Sequence, residues 1–186
     1  MSETGPVVRT AVAADAPGIA AVHIETWRAA YVGLVPQPIL DRLSIERRIA
    51  FWSDHLANPG ESRTWVAEAD GRIVGFAGTA RPTADDLPPG TGELEMIYLL
   101  PETWHRGIGR ALLRAAVDDL AERGFGAAIL WVFTANDRAR RFYEANGWRA
   151  DGTAQMLDFD GTPVEEIRYG IDLRAAGDAD PPSVEA

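Results

Sequence analysis

The chain has 186 residues, 46% of them hydrophobic, which is enough for one domain with a sizeable core. It holds no Cys and no Lys, which excludes disulfides, thiolate metal sites, a cysteine nucleophile, a Schiff-base lysine and the lysine of a P-loop. The net charge of −10 argues against non-specific nucleic-acid binding, and no apolar run approaches the roughly 20 residues that span a bilayer.

Residues 7–11 form a short first strand, and Asp15 is placed to cap the helix that follows. Ile19, Val22, His23, Trp27, Ala30 and Tyr31 recur at helical spacing until Gly33 and Pro36 end the run. Two more short helices are expected over 39–43 and 46–56, closed by Asn58-Pro59-Gly60. Residues 64–69 and 72–79 alternate as strands around Asp70-Gly71, a strong hairpin signal. A Pro/Gly/Asp loop over 81–92 leads into a strand over 93–99 and then a helix over 107–123. Residues 127–133 are continuously apolar, the pattern of a buried central strand. Asn136 or Asp137 caps a helix that runs to Ala145 and stops at Asn146-Gly147. Strand material over 148–159 turns at Asp160-Gly161 into a last strand over 164–173.

A single domain is expected over residues 1–173, and the Ala/Asp/Pro-rich residues 174–186 are expected to be a disordered tail. The fold class is α+β: a mixed, mostly antiparallel twisted sheet of about seven strands with about four to five helices packed on it. Antiparallel hairpins flank one strand–helix–strand crossover. The opening MSETGPVVRT lacks the basic and apolar regions of a signal peptide, so the expected location is cytoplasmic.

The crossover carries the chemistry. In YLLPETWHRGIGRALL, residues 98–113, a strand runs through a proline and a polar turn into two glycines at a helix start. A helix N-terminus offers unpaired N–H donors and partial positive charge, a ready site for a phosphate or pyrophosphate. Charge is distributed to match: residues 104–149 hold eight Arg and five acids, a net +3, and the remainder carries −13. A dinucleotide fingerprint fails because Leu112 stands where a third glycine belongs and the next strand ends without an acid. A P-loop fails for want of lysine.

A third phosphate loop fits. His105-Arg106-Gly107-Ile108-Gly109-Arg110 resembles the pyrophosphate loop of the GNAT superfamily of acetyl-CoA-dependent N-acetyltransferases, although Trp104 stands where Gln or Arg is usual. A second signature of that family resembles residues 136–148, with Asn136, Ala139, Phe142, Tyr143, Glu144, Gly147 and Trp148 in order. The resemblance extends from about residue 7 to 173.

What it implies is acetyl transfer from acetyl-CoA to an amine, by direct attack on the thioester. Backbone N–H groups of His105, Arg106, Gly107, Ile108, Gly109 and Arg110 would hold the CoA pyrophosphate. Backbone groups of Ile97 and Leu99 would contact the acetyl and pantetheine portion, and Asn136 would hydrogen-bond the CoA arm. Tyr143 matches the general acid that protonates the CoA sulfur. An N–H near Leu99 would stabilise the oxyanion.

Glu93 and Glu95 alternate by two and so share one side of their strand. Either is a candidate base, with Glu95 also a candidate for substrate recognition and a water chain as the alternative to both. Trp27 and Tyr31 are candidates for walling the acceptor pocket, with core packing the default. Arg106, Arg110 and Arg114 fall at four-residue spacing, which puts them on one helix face, with Arg106 and Arg110 candidates for adding charge near phosphates; Arg114 is expected to pair with Asp118 in solvent. His55 and His105 lack partners at metal-ligand spacing, and no metal is expected. A non-catalytic acyl-CoA-binding module, another acyl group, or a non-amine acceptor would keep the same motifs. Family habit implies a possible homodimer.

Overall fold

The computed structural model describes residues 6–83 and 86–174; the tail expected beyond Arg174 lies outside them. Among the described residues, seven strands form one sheet in the order β1-β2-β3-β4-β5-β7-β6. They are β1 (Val7–Thr10), β2 (Arg63–Ala69), β3 (Arg72–Ala80), β4 (Thr91–Leu99), β5 (Ala127–Phe133), β6 (Arg149–Phe159) and β7 (Thr162–Asp172). Five helices accompany them: α1 (Ala16–Ala30), α2 (Gln37–Asp41), α3 (Ile45–Ala57), α4 (Ile108–Glu122) and α5 (Asp137–Ala145). Every strand pair is antiparallel except β4–β5. That one parallel pair is the crossover through α4, and it places a helix between two otherwise simple antiparallel halves.

The parallel joint is short. Only Thr91, Gly92 and Glu93 pair with β5, opposite Ala127, Ala128 and Ile129. Beyond them the two strands part, while β4 stays paired with β3 as far as Leu99. Leu100 N–H donates to Val74 O at 2.9 Å, so alternation along an antiparallel ladder turns the Ile97 and Leu99 backbone groups away from β3. They face the opening between β4 and β5.

The two faces of the sheet are covered separately. A side chain at Gly92 would meet Leu120 of α4, and one at Gly75 would meet Leu112. On the other face, Phe76 lies 5.0 Å from Trp52 of α3 and 5.7 Å from His23 of α1, ring centroid to centroid. The register of β4 against β3 slips between Thr79 and Gly78, leaving Glu95 as an extra residue. Such a bulge inverts the alternation that follows it. Gly92 and Leu99 therefore face α4 despite their odd separation, and Glu95 and Tyr98 share the α1 face.

Two local expectations change. Asp15 does not cap α1; its carboxylate accepts the Val12 N–H at 2.8 Å and pairs with Arg9 at 2.7 Å, closing the tight turn before the helix. Arg106 is not on a helix face, because α4 starts at Ile108 and Arg106 belongs to the exposed turn ahead of it.

Candidate functional site

The wedge between the parting strands is a cavity of about 1480 Å³, lined by β4, β5, both ends of the crossover, α1 and the β6–β7 hairpin. Gly107 stands at the α4 N-terminus in the left-handed region, φ 79°, with open space on its Cβ side. His105 is left-handed too, φ 62°. Left-handed residues in a turn curl successive N–H groups toward one point, and the first N–H groups of α4 add to them. This turn brings the partial positive charge of a helix N-terminus to the cavity wall.

The side chains there match it. Arg110, Arg138 and Arg141 line the cavity, and among the described residues none makes an ion pair. Arg138 sits over the Trp104 ring, its Cζ 3.4 Å from the ring centroid. Trp104 in turn donates from Nε1 to Leu99 O at 3.1 Å, fixing the ring plane. So the residue ahead of the glycine turn is an indole with a guanidinium from α5 resting on it. Three cations without carboxylate partners among the described residues, in a protein of net charge −10, suit an anionic ligand.

Ile97, Leu99, His105, Gly107, Gly109, Arg110, Asn136 and Tyr143 all line the cavity. The Arg106 side chain does not, and Ile108 is buried in the core, so its N–H alone is available. Asn136 caps α5, its Oδ1 accepting from Ala139 N–H at 3.2 Å. Leu99 O is already taken by Thr26 Oγ1 at 2.9 Å and by Trp104, leaving its N–H for a ligand. Arg114 pairs with Asp118 at 3.6 Å in solvent.

Tyr143 is 8% exposed, packed between Phe142, Trp148 and Tyr169, and among the described residues its hydroxyl has no hydrogen-bond partner. Burial, and secondarily Tyr98, pushes its pKa up, so the hydroxyl keeps its proton. A protonated hydroxyl at the end of a buried ring on the cavity wall, unpartnered among the described residues, is placed for an acceptor supplied by a ligand.

Glu93 and Glu95 line the same cavity from β4, and Glu166 joins them from β7. Burial raises the Glu93 carboxyl from 4.5 to about 7, with Glu95 and Glu166 adding repulsion. Glu95 and Glu166 are raised as well, mainly by burial. Trp27 and Tyr31 line the wall opposite, and they also pack against Val35, Leu40 and Phe133. His23, facing the α1 side of the sheet, is held down to about 3 by burial and secondarily by Arg48, so it stays neutral. Among the described residues no group of three or more His, Asp or Glu side chains is arranged to hold a metal ion. Nor, among them, is any helix long and apolar enough to cross a membrane.

The residue pattern of the Acetyltransferase (GNAT) family matches residues 24–148, which include β4, the glycine turn, β5 and α5. The chain belongs to the GNAT family. It is 32% identical over 139 residues to the uncharacterized N-acetyltransferase YuaI of Bacillus subtilis, covering 74% of this chain and 77% of that protein. It is 27% identical over 170 residues to the probable N-acetyltransferase Rv2775 of Mycobacterium tuberculosis, covering 88% and 92%. In fold it is similar to the PaiA N-acetyltransferase of Thermoplasma acidophilum, crystallised with coenzyme A, at a TM-score of 0.67 and 22% identity over 92% of this chain and 99% of that one. Membership supports acetyl-CoA-dependent transfer as the general chemistry of this GNAT protein.

Proposed function

We propose that this GNAT protein is an N-acetyltransferase that acetylates a primary amine by direct attack on acetyl-CoA. The reading rests on one observation: Glu93 and Tyr143 line a single wedge along which β4 offers unpaired backbone groups. When bound, acetyl-CoA supplies the acetyl thioester. The α4 N-terminal turn with Arg110, Arg138 and Arg141 would hold its phosphates, and the free β4 edge at Ile97 and Leu99 its arm.

An alkyl amine is protonated near neutral pH, with a pKa of about 10 by analogy with lysine. It must lose a proton to attack. Glu93, its carboxyl poised at about 7, would take that proton on a carboxylate oxygen. Transfer makes an N–C bond and breaks a C–S bond, and the departing sulfur needs a proton. Tyr143 would donate it from its hydroxyl and regain a proton, by way of solvent, from the second one that the nitrogen sheds as the amide forms. Burial penalises a tyrosinate and a thiolate alike, so the exchange between them is not opposed by desolvation. Glu95 sits on the bulge, more exposed than Glu93, and suits contact with the acceptor better than proton transfer.

The test is an amine panel with acetyl-CoA, reading free CoA thiol and the mass of the product. Acetylated amine is expected, strongly reduced in Glu93→Gln and Tyr143→Phe. Wild-type rates in both variants would refute the roles given.

A further inference from the structure

Of the three cavity cations, Arg138 alone rests on a ring among the described residues. No carboxylate among those residues sets its place. The acids next to the pair in sequence are engaged elsewhere. Asp137 pairs with Arg140 at 3.8 Å, and Glu102, just ahead of Trp104, pairs with Arg72 at 2.8 Å.

The ring under Arg138 is itself held at both ends. The Trp104 backbone N–H donates to Pro101 O at 3.2 Å, closing the turn that follows β4. Its indole Nε1 donates to Leu99 O at 3.1 Å. Leu99 O takes a second bond from the buried Thr26, and the adjoining Leu100 N–H is bound to Val74 O of β3. The indole is therefore built onto the end of β4.

The pair spans the wedge. Trp104 immediately precedes His105 and Gly107, the left-handed residues of the glycine turn. Arg138 belongs to the first turn of α5, which follows β5 on the far side. A guanidinium delivered from one wall is thus seated beside the turn carried by the other. A long surface side chain samples many rotamers, and an anion that fixes it must supply that ordering. A cation already over an aromatic face has lost that freedom before the ligand arrives. Its N–H donors meet no acceptor among the described residues.

We propose that Trp104 is a positioning residue for the coenzyme: it holds the Arg138 guanidinium beside the glycine turn, where the two together meet the pyrophosphate. This rests on the acetyltransferase reading above only for the identity of the ligand. Arg138 serves the pyrophosphate rather than the 3′-phosphate of the adenosine, because its ring adjoins the turn that curls N–H groups toward one point. Its charge reaches Tyr31 as well, but its contact is with Trp104.

Calorimetry of coenzyme A binding tests this without an acceptor. Trp104→Leu removes the aromatic face and is expected to raise the Kd about fivefold. Trp104→Phe keeps a face without the indole N–H and is expected within about twofold of the wild type. Arg138→Ala should raise the Kd about tenfold, and the variant carrying both Trp104→Leu and Arg138→Ala no further, because the ring acts through the cation. Each single loss should flatten the salt dependence of the Kd. Dephospho-coenzyme A, which keeps the pyrophosphate, should show the same ratios.

Trp104→Leu at the wild-type Kd overturns the inference. So does a double variant in which the two losses multiply, the mark of a merely structural indole. Trp104→Phe as weak as Trp104→Leu also overturns it, since the bond to Leu99 would then carry the effect. Ratios that collapse with dephospho-coenzyme A put Arg138 on the 3′-phosphate, and a raised acceptor KM at unchanged Kd puts it on the acceptor; either refutes the assignment. All of these leave acetyl transfer standing. The expected Kd pattern with no transfer to any amine overturns the acetyltransferase reading and leaves the positioning role. A wild-type protein that binds no coenzyme A overturns both.

Discussion

Glu93→Gln is the most informative single change, because its two effects run in opposite directions. As a base Glu93 should contribute about 10²–10⁴ in turnover, the usual range for a positioned general base. The wild-type kcat should rise with pH through about 7, where Glu93 becomes a carboxylate. Glutamine cannot accept the proton, so the variant should lose that limb and the rate together. Stability should move the other way. The folded chain holds the Glu93 proton up to about 7, whereas the unfolded chain releases it near 4.5. Between those values the folded state binds more protons, so this residue costs stability as pH rises, and the full cost stands above 7. At about 1.4 kcal/mol for each pH unit that is about 3 kcal/mol, reduced to about 1–2 kcal/mol by solvent at the cavity mouth. Glutamine is neutral throughout. Thermal melts at pH 4, below both values, should nearly coincide for the two proteins, and at pH 8 the variant should melt about 2–8 °C higher. The assay is kcat at saturating substrates from pH 5.5 to 9, paired with those melts. A variant that keeps the wild-type limb near 7 refutes Glu93 as the base. A variant that melts lower at pH 8 refutes the buried, repelled carboxylate.

Three further outcomes are expected. Tyr143→Phe keeps the ring against Trp148 and Tyr169, so kcat should fall by about 10²-fold while calorimetry finds acetyl-CoA binding unchanged. Arg138→Ala removes a cation that has no carboxylate partner among the described residues; the KM for acetyl-CoA should rise about tenfold and depend less on salt, with kcat within about twofold. Gly107→Ala meets no neighbouring atom but places a Cβ at φ 79°, so it should cost about 1–2 kcal/mol in a denaturant melt and weaken coenzyme A binding.

The elements that carry the site were legible because each had a local signal. The Asp70-Gly71 turn, the apolar run of β5, the glycine turn before α4 and the Asn136 cap depend on residues close in sequence. What was not legible depends on partners far away. The bulge at Glu95 exists only in the register of β4 against β3, and alternation alone puts Tyr98 on the face opposite Glu93 and Glu95. Trp104 stands out in the sequence as a departure, but Arg138 above it is 34 positions on, and nothing local pairs them. Arg138 and Arg141 share a face of α5 by their spacing, a signal that becomes useful once Asn136 is known to begin the helix at the wedge. Glu166 lies in a strand with another acid beside it, and only the β5–β7 pairing brings it to the cavity. Arg106 shows the converse error: a regular four-residue spacing continued past the true start of α4.

The short β4–β5 joint has a mechanical consequence. Strands β1 to β4 form one plate, β5 to β7 another, and among the described residues three residue pairs are the only ladder between them. The plates are stiff, each with long antiparallel pairings of its own, so bending concentrates at residues 91–93. Glu93 is on that hinge. A molecule lying along the exposed edge of β4 acts as a splint, bridging the plates where the backbone does not. Occupancy then stiffens the whole sheet, and amide exchange in β4 and β5 should slow on loading well beyond the residues touched.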